Sequence, residues 1–257
     1  MRATEQFIAF KTIVIREFLR FIRIWIQTIV PPMVTTALYF LIFGNLIGPR
    51  LGEIQGVRYI DYLVPGLIMM AIITNAYSNV VSSFYGAKFQ HHIEEMLVAP
   101  VPYYVIVLGY ATGGVARGLI VGLAVTAVAW AFTDVHVHSL GVTLAVALLT
   151  ALLFSLAGLI NGVFAKSFDD ISIVPTFILT PLTYLGGIFY SLDMLPEPWR
   201  SLSLLNPILY MVNTFRYGLL GISDLGLASS FAIMIGFVLV LFLSGLALLN
   251  RGIGIRT

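Results

Sequence analysis

The sequence predicts an all-α integral membrane protein with six transmembrane helices, an amphipathic N-terminal interfacial helix, and re-entrant helices between the fifth and sixth spans. Of its 257 residues, 59% are apolar and only 10% charged, whereas an ordinary soluble domain carries about 25% charged residues. Every Lys, Arg, Asp and Glu except Arg117 lies outside six windows, 24–49, 62–87, 96–133, 135–165, 171–192 and 225–250. Each window reaches the ~20 residues that cross about 30 Å of hydrocarbon, and none alternates in polarity like a ~10-residue barrel strand. A soluble enzyme is thereby excluded. No polar stretch is long enough to fold separately, so residues 1–257 are expected to form one membrane domain.

The lead-in, 5–23, precedes the first window. Phe7, Phe10, Val14, Phe18 and Phe21 recur at spacings of three and four, with Arg16, Arg20 and Arg23 opposite and Glu17 among them. That pattern suits a helix lying in the interface, although a plain basic flank that anchors orientation has the same composition. Pro31 and Pro32 stand one turn into the first window, where a bend from surface to membrane is expected. This window is too long for a cleaved signal peptide and lacks a small-residue cleavage site, so it stays as a span.

After the second window, 88–99 reads as a short helix stopped by Pro100 and Pro102, because a residue before proline is biased away from helical geometry. Phe89, Ile93, Met96 and Leu97 form an apolar stripe with no evident partner in the chain, beside Glu94 and Glu95. A solvated loop would have no use for such a stripe. His91 and Glu95 stand at helical spacing, but no third ligand is near, so no metal site is assigned.

In the third window, Arg117 lies about 14 residues beyond Tyr103, roughly 21 Å along a helix. A charge at that depth costs at least ~2.5 kcal/mol, so it must face a cavity, backbone carbonyls or a polar partner. Asn75, Asn79 and Asn161 are the other polar candidates within spans. The four residues suit either of two roles, polar joints between helices or contacts with a passing solute.

The fifth window runs into a segment broken by Pro181, Gly186, Gly187, Pro196, Pro198 and Pro207 yet rich in Leu, Ile, Tyr and Phe. Broken backbone is tolerated at membrane depth only when buried in protein or lining a wet cavity. Over 181–215 this predicts short helices re-entering from outside; a lipid-free outer loop is the other reading. With six spans both termini share a side. Counted as inside, the ends and even loops carry Arg2, Lys11, Arg16, Arg20, Arg23, Lys88, Lys166, Arg251 and Arg256 against Arg50, Arg58, Arg200 and Arg216 outside. The bias places both termini in the cytoplasm.

Several chemistries lack their residues. Lysine occurs only at 11, 88 and 166, never after glycine, so there is no G-x-x-x-x-G-K-[ST] phosphate loop and no means of using ATP within this chain. With zero cysteines there is no thiolate chemistry, and a net charge of +2 without a basic block gives no reason to expect nucleic acid. No acid is expected inside a span, which weakens a proton-coupled carrier. No catalytic, cofactor or metal site is assigned.

Residues 179–216 carry a longer pattern: Leu179, Leu182, Leu185-Gly186-Gly187, Ile188, Leu195-Pro196, Pro207-Ile208, Tyr210 and Arg216. In order and spacing this resembles the signature of type-2 ATP-binding-cassette exporter permeases. The basic lead-in and the glutamate-bearing segment ending Leu97-Val98-Ala99-Pro100 agree with it. The resemblance implies a transport subunit in a bacterial inner membrane, working as two copies with two copies of a separate ATPase that holds ATP and Mg. It makes 88–99 the coupling helix that meets the ATPase, 5–23 the connecting helix at the same surface, and 181–215 the cap of the pathway. It also implies lipid-linked, glycan or amphiphilic drug-like substrates in contact with membrane lipid. A channel or secondary carrier working without an ATPase is the alternative, and a non-transporting membrane scaffold is a third class.

Overall fold

The structure is a computed structural model that describes residues 2–254. Arg256, one of the basic residues counted for orientation, lies outside the described residues, as does the side chain of Leu97. The chain is almost wholly helical.

Helix α1, Ala3–Arg23, begins where Glu5 accepts the backbone N–H of Arg2 at 2.9 Å. It places Arg20 and Arg23 in its last turn, where cations suit the helix dipole. The turn into the first span is at Ile24 (φ −114°, ψ 30°), and α2, Trp25–Tyr39, runs straight through Pro31 and Pro32. The expected bend at the prolines is therefore misplaced by two turns. Both prolines line a cavity, a setting in which the carbonyls freed by their missing N–H groups are tolerated. The helix then widens over Phe40–Ile47 into i→i+5 turns and closes with α3, Gly48–Leu51.

A two-residue hairpin follows, β1 (Glu53–Ile54) against β2 (Val57–Arg58). Its central residues, Gln55 and Gly56, both have positive φ, as a tight turn matching strand twist requires. Next come α4 (Tyr59–Phe89), α5 (His92–Val98), α6 (Tyr103–Trp130) and α7 (Leu140–Phe164). Then α8 (Asp170–Val174), a wide turn over Pro175–Leu179 and α9 (Thr180–Tyr184) make one helical run. The 3₁₀ turn Leu192–Met194 leads to α10 (Glu197–Ser203), α11 (Pro207–Leu220) and α12 (Leu227–Arg251).

Five helical runs are long and apolar enough to cross a membrane: Trp25–Leu51, Tyr59–Phe89, Tyr103–Trp130, Leu140–Phe164 and Leu227–Arg251. The remaining expected span, the fifth window at 171–192, forms the shorter run 170–184, about 22 Å at 1.5 Å per residue. Pro175 opens the wide turn within that run, where Thr180 Oγ1 donates to the Pro175 carbonyl at 2.8 Å, and Gly187 follows the run with φ +72°. The next helices, α10 and α11, cover only part of 181–215.

Helix α4 is the axis. Its most apolar stretch is 83% buried, against 17% for those of Trp25–Leu51 and α12, and it packs along α6 and α7. Lipid chains are as apolar as leucine, so helices here gain by close backbone approach rather than by hiding apolar surface. Gly158 of α7 supplies one such approach: a Cβ there would stand 2.5 Å from the Tyr77 carbonyl of α4. Gly113 and Gly114 are neighbours on α6 that face different helices, the first meeting Glu17 of α1 and the second meeting Ala76 and Val80 of α4.

Gly158→Ala is expected to destabilise the fold by about 1–3 kcal/mol through overpacking. Gly86→Ala, where an added Cβ meets nothing within 4 Å, should be neutral or slightly stabilising. Thermal denaturation in one detergent, read as loss of the monodisperse peak, separates the two.

Candidate functional site

Three polar groupings lie along α4. The first joins it to α1. Ile13, Glu17 and Phe21 are the buried residues of α1, and the first two face α6 at Gly109 and Gly113 respectively. Glu17 is fully buried. Its Oε1 accepts the Ser83 hydroxyl at 2.6 Å and lies 3.5 Å from Arg16 Nη2, and Arg20 Nε stands 3.6 Å from Oε2. Arg20 Nη2 also donates to the backbone and side-chain oxygens of Asn79, both at 2.8 Å, and Arg16 Nη2 donates to the Tyr110 hydroxyl at 2.5 Å. Burial pulls the Arg20 guanidinium below its usual range, with Glu17 pulling the other way.

The expected division of α1 into an apolar face and an arginine face is therefore corrected. The protein-facing side is Ile13, Glu17 and Phe21, with Arg16 and Arg20 reaching in beside it. Phe7, Ile8, Phe18 and Leu19 point outward. Arg23 is exposed and stays apart from the cluster.

The second grouping is one turn along. Arg117 of α6 donates from Nη2 to Asn75 Oδ1 at 3.3 Å, while Asn75 Nδ2 donates to the Ala71 carbonyl. Asn75 borders a cavity of about 250 Å³ between α2 and α4, which Thr35, Tyr39, Leu67 and Thr74 help to line. Asn161, on α7, lies apart from these groups, beside Tyr77.

At the other end of α4, the broken segment is held by backbone oxygens. Tyr59 and Tyr62 donate to the carbonyls of Phe189 and Tyr190, each at 3.1 Å. Arg216 of α11 is buried, with its guanidinium carbon 3.9 Å above the Tyr62 ring and Nη2 donating to the Gly187 carbonyl at 2.6 Å. Gly186 packs against Ile208, and Pro196 and Pro207 sit at the starts of α10 and α11. Tyr210 donates to the Leu204 carbonyl at 2.9 Å. Tyr62, Asn206 and Asp224 complete the joint. Asn206 caps α11 through the Ile208 N–H and donates to the Leu182 carbonyl, and Asp224 accepts the Leu192 N–H at 3.2 Å. None of these three stood out in the sequence. For Asn206 the signal was available, since an asparagine directly before Pro207 is a helix-start pattern.

Segment 88–99 departs from expectation in one respect. Ile93 is only 2% exposed and belongs to a core cluster with Ala87, Val105 and Tyr110, and Met96 packs against the same cluster. The stripe thus has a partner in its own chain. What α5 and its approach leave outside are Phe89, Glu94, Glu95 and Val98, with Phe89 ringed by Phe168 at 5.3 Å. His91, in left-handed geometry before α5, contacts Glu94 at 2.9 Å. Lys88 Nζ donates to the carbonyls of Val163 and Ala165 at 2.8 and 2.7 Å. The lysine closes the end of α7.

The sequence that builds this arrangement has known relatives. The sequence profile described as ABC-2 type transporter matches residues 8–220. The chain belongs to the ABC-2 type transporter family. It is 58% identical over 250 residues to the inner membrane transport permease YadH of Escherichia coli (strain K12), covering 97% of this chain and 98% of that one. It is 24% identical over 237 residues to nodulation protein J of Rhizobium leguminosarum bv. viciae, covering 92% of each. An ABC-2 type permease of this kind is a multi-pass membrane transporter and not itself an enzyme.

Replacing Glu17 with Leu leaves two arginines facing a site without its carboxylate. The expected loss is about 2–3 kcal/mol, at the lower end for a broken buried pair because both arginines are partly solvated. Glu17→Gln keeps an acceptor for Ser83 and should lose less. Melting temperatures of the two purified variants, compared with wild type, check the order.

Proposed function

We propose that this permease is the membrane half of an exporter in a bacterial inner membrane, in which two copies enclose a pathway driven by two copies of a separate ATP-binding-cassette ATPase. ATP and Mg belong to the partner, since this chain has no phosphate loop. Residues 1–257 act as one permease domain with both termini cytoplasmic. The run 170–184 makes the fifth of six crossings, and the broken residues of 181–215 return toward the outer surface as re-entrant helices capping the pathway. Substrates are lipid-linked, glycan or amphiphilic drug-like molecules.

The observation that carries this reading is the two-sided build of 88–99. Inward, Ile93 and Met96 seat α5 in the core shared by α1, α4 and α6, and Lys88 clasps the end of α7. Outward, Phe89, Glu94, Glu95 and Val98 are free to meet another protein. A push on this element reaches α4 and α7 together, which is what a permease without its own energy source requires. The buried Glu17 cluster fixes α1, the connecting helix, to the same body.

An exposed aromatic anchor contributes most at such a contact, while rim charges tune orientation and association rate. Phe89→Asp is expected to abolish co-purification of the ATPase while the permease still inserts. Glu94→Gln and Glu95→Gln should retain the complex but weaken it at low salt. Mass spectrometry of the affinity-purified permease decides. Recovery of no ATPase with wild type supports the ATPase-free channel, and equal recovery with Phe89→Asp removes 88–99 from the interface.

Orientation has its own test, helped by the absence of native cysteine. An impermeant thiol reagent outside intact cells should label Glu53→Cys and Glu197→Cys and spare His92→Cys. Labelling at position 92 contradicts the topology.

A further inference from the structure

Three spans, α4, α7 and α12, end around a cleft of about 650 Å³ beside α5. Two ammonium groups line it, Lys88 from the end of α4 and Lys166 just past the end of α7. Lys88 gives two of its three N–H donors to the carbonyls of Val163 and Ala165, which leaves one donor and the whole charge. Lys166 is exposed. Among the described residues neither lysine has a carboxylate within ion-pair distance. Glu94, the acid on the cleft wall, contacts His91 at 2.9 Å, and Asp170 turns to the backbone N–H groups of Lys166 and Ser167. The cleft therefore carries positive charge that the chain does not pair. The rest of its wall includes Phe89, Phe164 and Ile253, all exposed, and the most apolar stretch of the adjoining α12 is only 17% buried. Aromatic rings at the ends of spans belong at the level of the lipid headgroups. Basic residues at that level, flanked by a face open to lipid, have the chemistry of an anionic headgroup site.

We infer that this cleft holds an anionic phospholipid as a resident ligand, with headgroup phosphate between Lys88 and Lys166 and its apolar part against Phe164 and the exposed face of α12. Cardiolipin, which has a phosphate for each lysine, matches the charge best. The lipid is not cargo. Its site lies at one end of the spans, and binding needs neither ATP nor the ATPase, so this inference and the exporter reading fail separately. By bridging Lys88 to Lys166, the lipid ties the end of α4, from which α5 leaves, to the loop that follows α7.

The test uses the purified full-length permease, stripped of lipid in the neutral detergent dodecyl maltoside, titrated with cardiolipin, phosphatidylcholine or glycerol phosphate and read by native mass spectrometry. Wild type should retain cardiolipin over phosphatidylcholine, whose choline balances its phosphate, and show no glycerol phosphate adduct at the same concentration. Lys166→Ala should weaken cardiolipin retention about fivefold, the scale of one basic residue at an anionic lipid surface, and Lys166→Glu should weaken it further. Ile253→Glu sets a carboxylate on the cleft wall with both lysines intact and should also weaken retention. Lys11→Glu makes the same charge change outside the cleft and should retain cardiolipin like wild type. Equal retention by wild type and Lys166→Glu overturns the inference, and if Lys166→Glu instead loses the ATPase, the cleft is a protein contact. An equal loss from Lys11→Glu overturns it too, by reducing the effect to general surface charge. So does phosphatidylcholine or glycerol phosphate binding as tightly as cardiolipin, or undiminished retention by Ile253→Glu.

Discussion

In hydrocarbon a leucine gains nothing by exchanging lipid for another helix, so the close seating of α4 between α6 and α7 carries the rest of this structure. Glycines make that seating possible. Gly114, Gly118 and Gly122 line one side of α6 against α4, while Gly109 and Gly113, around the cylinder, receive α1. One helix thus serves two seams. The seam with α4 is made by close approach of apolar side chains and backbone, whereas the seam with α1 also encloses the charged Glu17.

Polar groups then lock what the seams have aligned. Three cationic side chains near the axis reach a backbone carbonyl of another element: Arg216 to Gly187, Lys88 to Val163 and Ala165, and Arg20 to Asn79. In a low-dielectric setting such contacts strengthen and mispairing becomes expensive. They also join elements that sequence separates widely, so the broken segment near one end of α4 and the short α5 at the other are tied to the same helix. Through this shared axis the proposed contact at α5 and the broken segment belong to one packed body.

The spans were legible because a long uncharged apolar run has one low-energy form in lipid, a helix with all its backbone bonds made internally. Window 171–192 was less so. Its composition matches the others, but Pro175 widens the helix and the Gly186-Gly187 pair follows its end at Tyr184, and hydropathy does not weigh them. Glu17 was hidden for a different reason. Arg16 stands beside it and Arg20 one turn on, which suggests a wet face, and the glycine that covers it, Gly113, lies far along the sequence. The spacing Ile13, Glu17, Phe21 was the available sign that a carboxylate shared the buried face. Ile93 misled in the same way, since an amphipathic stripe shows that something covers it without showing whether that is the chain itself or a partner.

The pairing of α1 with α6 sets a condition on biosynthesis. Arg16 and its partner Tyr110 are 94 residues apart, so at ordinary translation rates α1 is complete roughly 5 to 20 s before its berth is synthesised. Throughout that interval Glu17 must remain hydrated at the membrane surface while the first two spans are inserted. The amphipathic character of α1 then serves as a waiting state, keeping the helix beside the bilayer and out of it until the third span arrives. The N-terminal helix thus reaches its final place only after two later spans have been made.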